Sequence, residues 1–224
     1  MGILDLFRKK QHDTLHSAEE VNQPDTFYST EEAYELLVDR ISKIIGDSWV
    51  FVKSKSAFKK KDGDYLTHLY IWRSHNNRSY EYIIYDGHVT VNRNKKLIMV
   101  YQFGGTYHME SESVFNESWK SFENKLITDV LPVINDLNSN NETVLKKMTS
   151  IDNFWKYHVD IDYLVERLGK DALKDLSKEV FESRDFVTKS KIIAYLDGDK
   201  AALNPDGTYW KFCENGLFDD VISK

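Results

Sequence analysis

The sequence predicts an α+β protein: an antiparallel sheet of about five strands with two main helices packed on one face, plus a C-terminal helical part. Three observations predict it. Residues 49–103 read WVFVKSKSAF, YLTHLYIWR, YEYIIY, HVTVN and KLIMVYQF, runs rich in β-branched and aromatic residues and separated by turn formers. Helical periodicities flank this block, over residues 30–45 and 114–131. The connections inside the block are short and polar, which joins strands antiparallel.

Taken in order, residues 1–10 hold an apolar cluster (Ile3, Leu4, Leu6, Phe7) followed by Arg8, Lys9 and Lys10. A basic end beside apolar groups is the pattern of an in-plane membrane anchor. So short a stretch buries little area, and a turn packed on the body or a frayed end is the expectation. Residues 11–25 are polar and read as a linker, so 1–25 form an N-terminal segment before an α+β domain over 26–150. Ser29-Thr30-Glu31-Glu32 fits a capping box. The helix it opens carries Ala33, Leu36, Leu37, Ile41, Ile44 and Ile45 on one stripe and ends at Gly46.

The first run alternates Trp49 and Phe51 with Val50 and Val52, apolar on both sides, and predicts a central strand. Asp62-Gly63 predicts a turn into residues 65–73. There Leu66, His68, Tyr70 and Trp72 share one side, and Tyr65, Leu69 and Ile71 the other. SHNNRS over 74–79 is a polar loop. Asp86-Gly87 predicts a type I′ hairpin between YEYIIY and HVTVN, and residues 92–95 a further turn. After Gly104-Gly105, apolar residues Phe115, Trp119, Phe122, Leu126, Val130 and Ile134 mark a long helix that Pro132 should kink or restart. Residues 151–224 predict short helices around Leu164, Leu176 and Ile192, a helical C-terminal region.

Composition sets bounds on function. With 41 % hydrophobic and 29 % charged residues, 224 residues are enough for a packed core without staples. Cys213 is the only cysteine, which excludes an internal disulfide and, with no export signal, favours a cytoplasmic setting. No apolar run approaches the roughly 20 residues of a transmembrane segment. Charge is unevenly placed: residues 49–103 carry 10 Lys/Arg against 4 Asp/Glu, whereas the whole chain is at −6. A basic sheet between acidic helices is the resulting asymmetry.

Candidate chemistry is sparse. His108, Glu110 and Glu112 alternate as metal ligands on a strand would, although the two glutamates also suit a helix N-terminus. His158, Asp160 and Asp162 alternate in the same way, and an N-cap explains them more simply. Asp197-Gly198-Asp199 lacks the remaining ligands of a calcium loop. Phosphate-loop, nucleophile-elbow and HExxH motifs are missing, so no catalytic residue and no cofactor is assigned. His68 is expected to be a hydrogen-bonded core or surface residue. Lys60, Tyr70, Trp72 and Arg73 are the candidate binding residues, since lysines with interleaved aromatics can hold single-stranded nucleic acid. The acidic total argues against that partner. The expectation is that the aromatic strands turn their rings inward, beneath the helices.

Ala57-Phe58-Lys59-Lys60-Lys61-Asp62-Gly63, followed by aromatic strands and Ser74-His75-Asn76-Asn77, resembles a bacterial family of small cytoplasmic α+β domains. Some members are similar to immunity proteins of contact-dependent or polymorphic toxin systems. The resemblance covers about residues 30–135 and carries no functional residues with it. The family has no assigned function; taken with the missing catalytic motifs and the acidic helices, the resemblance points to a non-enzymatic module whose partner is another protein, an immunity-type inhibitor being one form. Acidic helices would suit a basic toxin. Single-stranded nucleic-acid binding and a metal-dependent hydrolase at His108, Glu110 and Glu112 are the alternatives.

Overall fold

The computed structural model describes residues 25–74, 83–102, 106–139 and 142–222. The N-terminal apolar cluster, the linker as far as residue 24, most of the SHNNRS loop, the start of YEYIIY and Gly104-Gly105 lie outside them. Helix α1 spans Thr30–Ile45 and buries Ala33, Leu37, Ile41 and Ile45. Its capping box is complete: Ser29 Oγ accepts from the Glu32 amide at 3.3 Å, and Glu32 Oε2 accepts from the Ser29 amide at 2.7 Å.

Among the described residues six strands follow: β1 Val50–Val52, β2 Ala57–Asp62, β3 Tyr65–Arg73, β4 Ile84–Arg93, β5 Lys96–Gln102 and β6 Tyr107–His108. They form one antiparallel sheet in the order β1-β2-β3-β4-β5, with β6 beside the start of β4. Two expectations are corrected. The first run is not one central strand. A 3-10 turn at Lys53–Lys55 and a left-handed Ser56 (φ 49) fold it into a β1–β2 hairpin, leaving β1 at the edge. Its apolar residues on both sides misled because Val50 stays exposed. Asp86-Gly87 is not a hairpin either. Strand β4 runs straight through it and pairs with β3 from Tyr65↔Arg93 to Arg73↔Tyr85. A turn at that point would strip Ile71, Trp72 and Arg73 of their partners on β4, so non-local pairing overrides local turn propensity.

Two other turns fall where the sequence places them, the second shorter than residues 92–95 because Asn92 and Arg93 stay in β4. Gly63 enters the β2–β3 loop at φ +56. Between Arg93 and Lys96, Asn94 (φ 50) and Lys95 (φ 68) make a two-residue loop of the I′ kind. A lysine there is strained. Lys95→Gly is therefore expected to stabilise the protein by about 0.5–1 kcal/mol in urea unfolding; a loss of stability would contradict the strain.

Helix α2 (Glu112–Lys125) passes through a π turn at Leu126–Val130 into α3 (Leu131–Asn138). Pro132 explains the π turn: it has no N–H for the Thr128 carbonyl, and Leu131 N donates back to Leu126 O instead. Helices α4 (Glu142–Lys147), α5 (Ile151–Tyr157), α6 (Ile161–Leu168), α7 (Lys174–Glu182), α8 (Phe186–Leu196), α9 (Thr208–Glu214) and α10 (Asp219–Ile222) complete the chain. Ser150, Asp160 and Asp185 cap α5, α6 and α8. Among the described residues, no helix is long and apolar enough to cross a membrane.

The helices cover one face of the sheet. Tyr34 of α1 stacks on Tyr85 at 5.9 Å, Phe122 of α2 meets Tyr107 edge-on at 5.0 Å, and Tyr157 of α5 packs on Tyr101 at 4.8 Å. A single core runs from Ala33 to Phe218 and crosses residue 150 without a break. Polar bonds fasten its C-terminal part. The Asp160 amide donates to Ile98 O at 2.9 Å, and its carboxylate holds Lys211 of α9 and Lys96 of β5. Arg93 pairs with Glu166 at 2.7 Å, and Lys96 with Asp162 at 2.8 Å.

Candidate binding face

Side chains alternate across a sheet, so the helices that cover Tyr65, Leu69, Ile71 and Tyr85 leave the other set turned away from them. On β3 that set is Leu66, His68, Tyr70 and Trp72. Pairing adds Lys61 opposite Leu66, Lys59 opposite His68, and Ala57 opposite Tyr70 from β2. From β4 come Thr90 opposite His68, His88 opposite Tyr70, and Asp86 opposite Trp72.

Four rings form a ladder along this face. Tyr70 and His88 stack at 4.5 Å with planes 4° apart, His68 lies 5.6 Å from Tyr70, and Trp72 meets His88 at 3.9 Å. Among the described residues the ring contacts of these four side chains are with one another. Trp72 remains 52 % exposed, whereas His68 and His88 are buried under their neighbours. The inward expectation thus holds for Tyr65, Tyr85 and Tyr101 and fails for Tyr70 and Trp72. The physical reason is that β3 carries large apolar groups on both sides, and the helices can cover only one.

Burial pushes the His88 imidazole down to about 4, and its Nδ1 has no hydrogen-bond partner. His68 is lowered as well, by burial first and then by the nearby Lys55 and Lys59 charges. Burial raises the Asp86 carboxyl beside Trp72. Both histidines are therefore uncharged at neutral pH.

His88 also sets a pH dependence. Its folded value lies below the unfolded 6.5, so the neutral form belongs to the fold. The stability it confers is complete above pH 6.5 and is lost as pH falls from there through about 4. The full loss is on the order of 3 kcal/mol. His88→Phe should shrink the difference in urea stability between about pH 7.5 and pH 4.5 by about 2–3 kcal/mol. An unchanged difference would show that His88 is solvated.

Of the four expected binding residues, the structure brings Tyr70 and Trp72 together. Lys60, opposite Thr67, and Arg73, opposite Tyr85, fall on the helix-side set. His68, expected as a core or surface residue, and His88 join the same ladder. For His68 the signal was its parity with Tyr70; for His88 it was hidden by the turn expected at Asp86-Gly87. At the proposed metal triplet, His108 Nδ1 and Glu110 Oε1 are 3.5 Å apart, while Glu112 opens α2. Among the described residues, no group of three or more His, Cys, Asp or Glu is placed to hold a metal ion. Cys213 is buried, which pushes its thiol up to about 11 and leaves it unreactive at neutral pH.

No protein-family model matches the chain, and comparisons with curated proteins and with solved structures find no match.

Proposed function

We propose that this protein is a non-enzymatic binding module whose partner is another protein, held against the sheet face that the described helices leave open. The observation that carries this is Trp72, half exposed at the end of a stacked ring ladder, with exposed Val50 on the same side of the neighbouring hairpin. Large aromatic groups left in water on a rigid sheet are the usual anchors of protein interfaces. The ladder is self-packed, which pre-organises it and lowers the entropy cost of docking.

Single-stranded nucleic acid is the second reading, because Lys59 and Lys61 stand on the same face. Stacking a base needs a free ring face, and His68 and His88 lie against Tyr70. Protein is therefore favoured. An immunity-type inhibitor is one role such a module can fill, in keeping with the resemblance to a bacterial family of which some members are similar to immunity proteins. The test is affinity capture from cells that naturally express the protein. A protein retained by the wild type and lost from Trp72→Ala supports the module. Identical captures by the two, or capture abolished by nuclease, contradict it.

A further inference from the structure

Two strips run side by side on the open face. One is apolar and aromatic, Leu66, His68, Tyr70 and Trp72 along β3. The other is cationic, Lys61 and Lys59 along β2, with the Lys55 charge acting on His68 from the 3-10 turn before β2. Neighbouring strands lie about 4.8 Å apart, and same-side residues repeat at about 6.8 Å along each of them. An extended polypeptide has the same repeat, with alternate side chains on opposite sides.

Lys55, Lys59 and Lys61 are exposed, and no carboxylate among the described residues pairs with them. Arg93, Lys96, Lys156 and Lys211 at the helical layer have carboxylate partners, whereas Lys60 of the helix-side set pairs with none among the described residues. By pairing, Asp86 is the acidic residue on the open face among the described strands, at the Trp72 end and away from the lysines. The acidic helices lie across the sheet, on the order of 10 Å away. The lysines are the nearer charges to a ligand on this face, so they dominate its local potential by distance.

Resting on the binding-face reading above, we infer that the partner presents an extended acidic segment, its alternate apolar side chains on the β3 strip and its carboxylates over Lys59 and Lys61. This reverses the basic partner that the acidic helices favour. Charge complementarity steers and orients such a segment, and the apolar strip anchors it.

The experiment uses fluorescein-labelled peptides of about ten residues, alternating Asp with Leu or Ser with Leu, and an oligothymidylate of similar length, titrated by anisotropy into the full chain. The Asp-Leu peptide should bind about tenfold more tightly than the Ser-Leu peptide. That gap should close in Lys59→Glu/Lys61→Glu, and Trp72→Ala should weaken both peptides. Equal binding of the two peptides overturns the acidic segment while leaving the binding face intact, provided Trp72→Ala still weakens both. No binding of either peptide overturns the extended segment, and the capture comparison then judges the module separately. Tighter binding of the oligothymidylate than of the Asp-Leu peptide overturns both readings. The lysines are exposed, so the double variant should fold; its circular dichroism spectrum and urea midpoint confirm that any loss is one of contact.

Discussion

Trp72→Ala is expected to weaken partner binding by about 30- to 1000-fold, the range of a loss of about 2–4 kcal/mol at an interface anchor. Stability should fall by no more than about 1 kcal/mol, because the ring is 52 % exposed and its described ring contacts are Tyr70 and His88. That separation is diagnostic. A core aromatic would lose stability first, at about 3–5 kcal/mol, and binding only through unfolding. Titration of the captured partner against both proteins, beside urea melts of each, makes the comparison. A large stability loss with unchanged affinity would return Trp72 to the scaffold.

Asp160→Ala should cost about 3 kcal/mol of stability and lower the melting temperature by roughly 6–12 °C. Its side chain is only 9 % exposed and performs two tasks. Oδ1 accepts from the Tyr163 amide at 3.0 Å and caps α6. Together the two oxygens hold Lys211 and Lys96, joining α9 and β5 to the same point. Alanine removes the cap and leaves Lys211, with a side chain 17 % exposed, only Asp162 at 3.7 Å. Asp160→Asn retains a capping oxygen and should lose about half as much. A change within about 0.5 kcal/mol for alanine would mean that the cluster is solvated and fastens nothing.

Local chemistry made much of the fold legible. Ser29 and Glu32 announce the start of α1, Gly63 its turn, and Pro132 the break in the long helix, because each acts within one turn of backbone. The errors lie where distant partners decide. Asp86-Gly87 has the composition of a hairpin, but β3 supplies nine partners and holds β4 extended. The run from Trp49 to Phe58 looks central because it is apolar on both sides; one of those sides belongs to the open face.

The site was legible in the same proportion. Tyr70 and Trp72 follow from period-two alternation, yet no local signal says which side of β3 the helices choose. Lys60 and Arg73 are sequence neighbours of the ladder and are set apart from it by strand alternation alone. The C-terminal helices were legible as helices, whereas the Asp160 junction joins residues more than 50 positions apart in sequence and left no local trace.

Site-specific photo-crosslinking tests the central claim most directly. A benzoylphenylalanine is placed in turn at Trp72, at Val50 and, as a control, at Phe186, which is exposed at the start of α8. Irradiated in cells that naturally express the protein, Trp72 and Val50 should each give the same discrete protease-sensitive adduct, and Phe186 none. An adduct formed only from Phe186, or one that nuclease removes, would contradict the open sheet face as the place where this protein meets a protein partner.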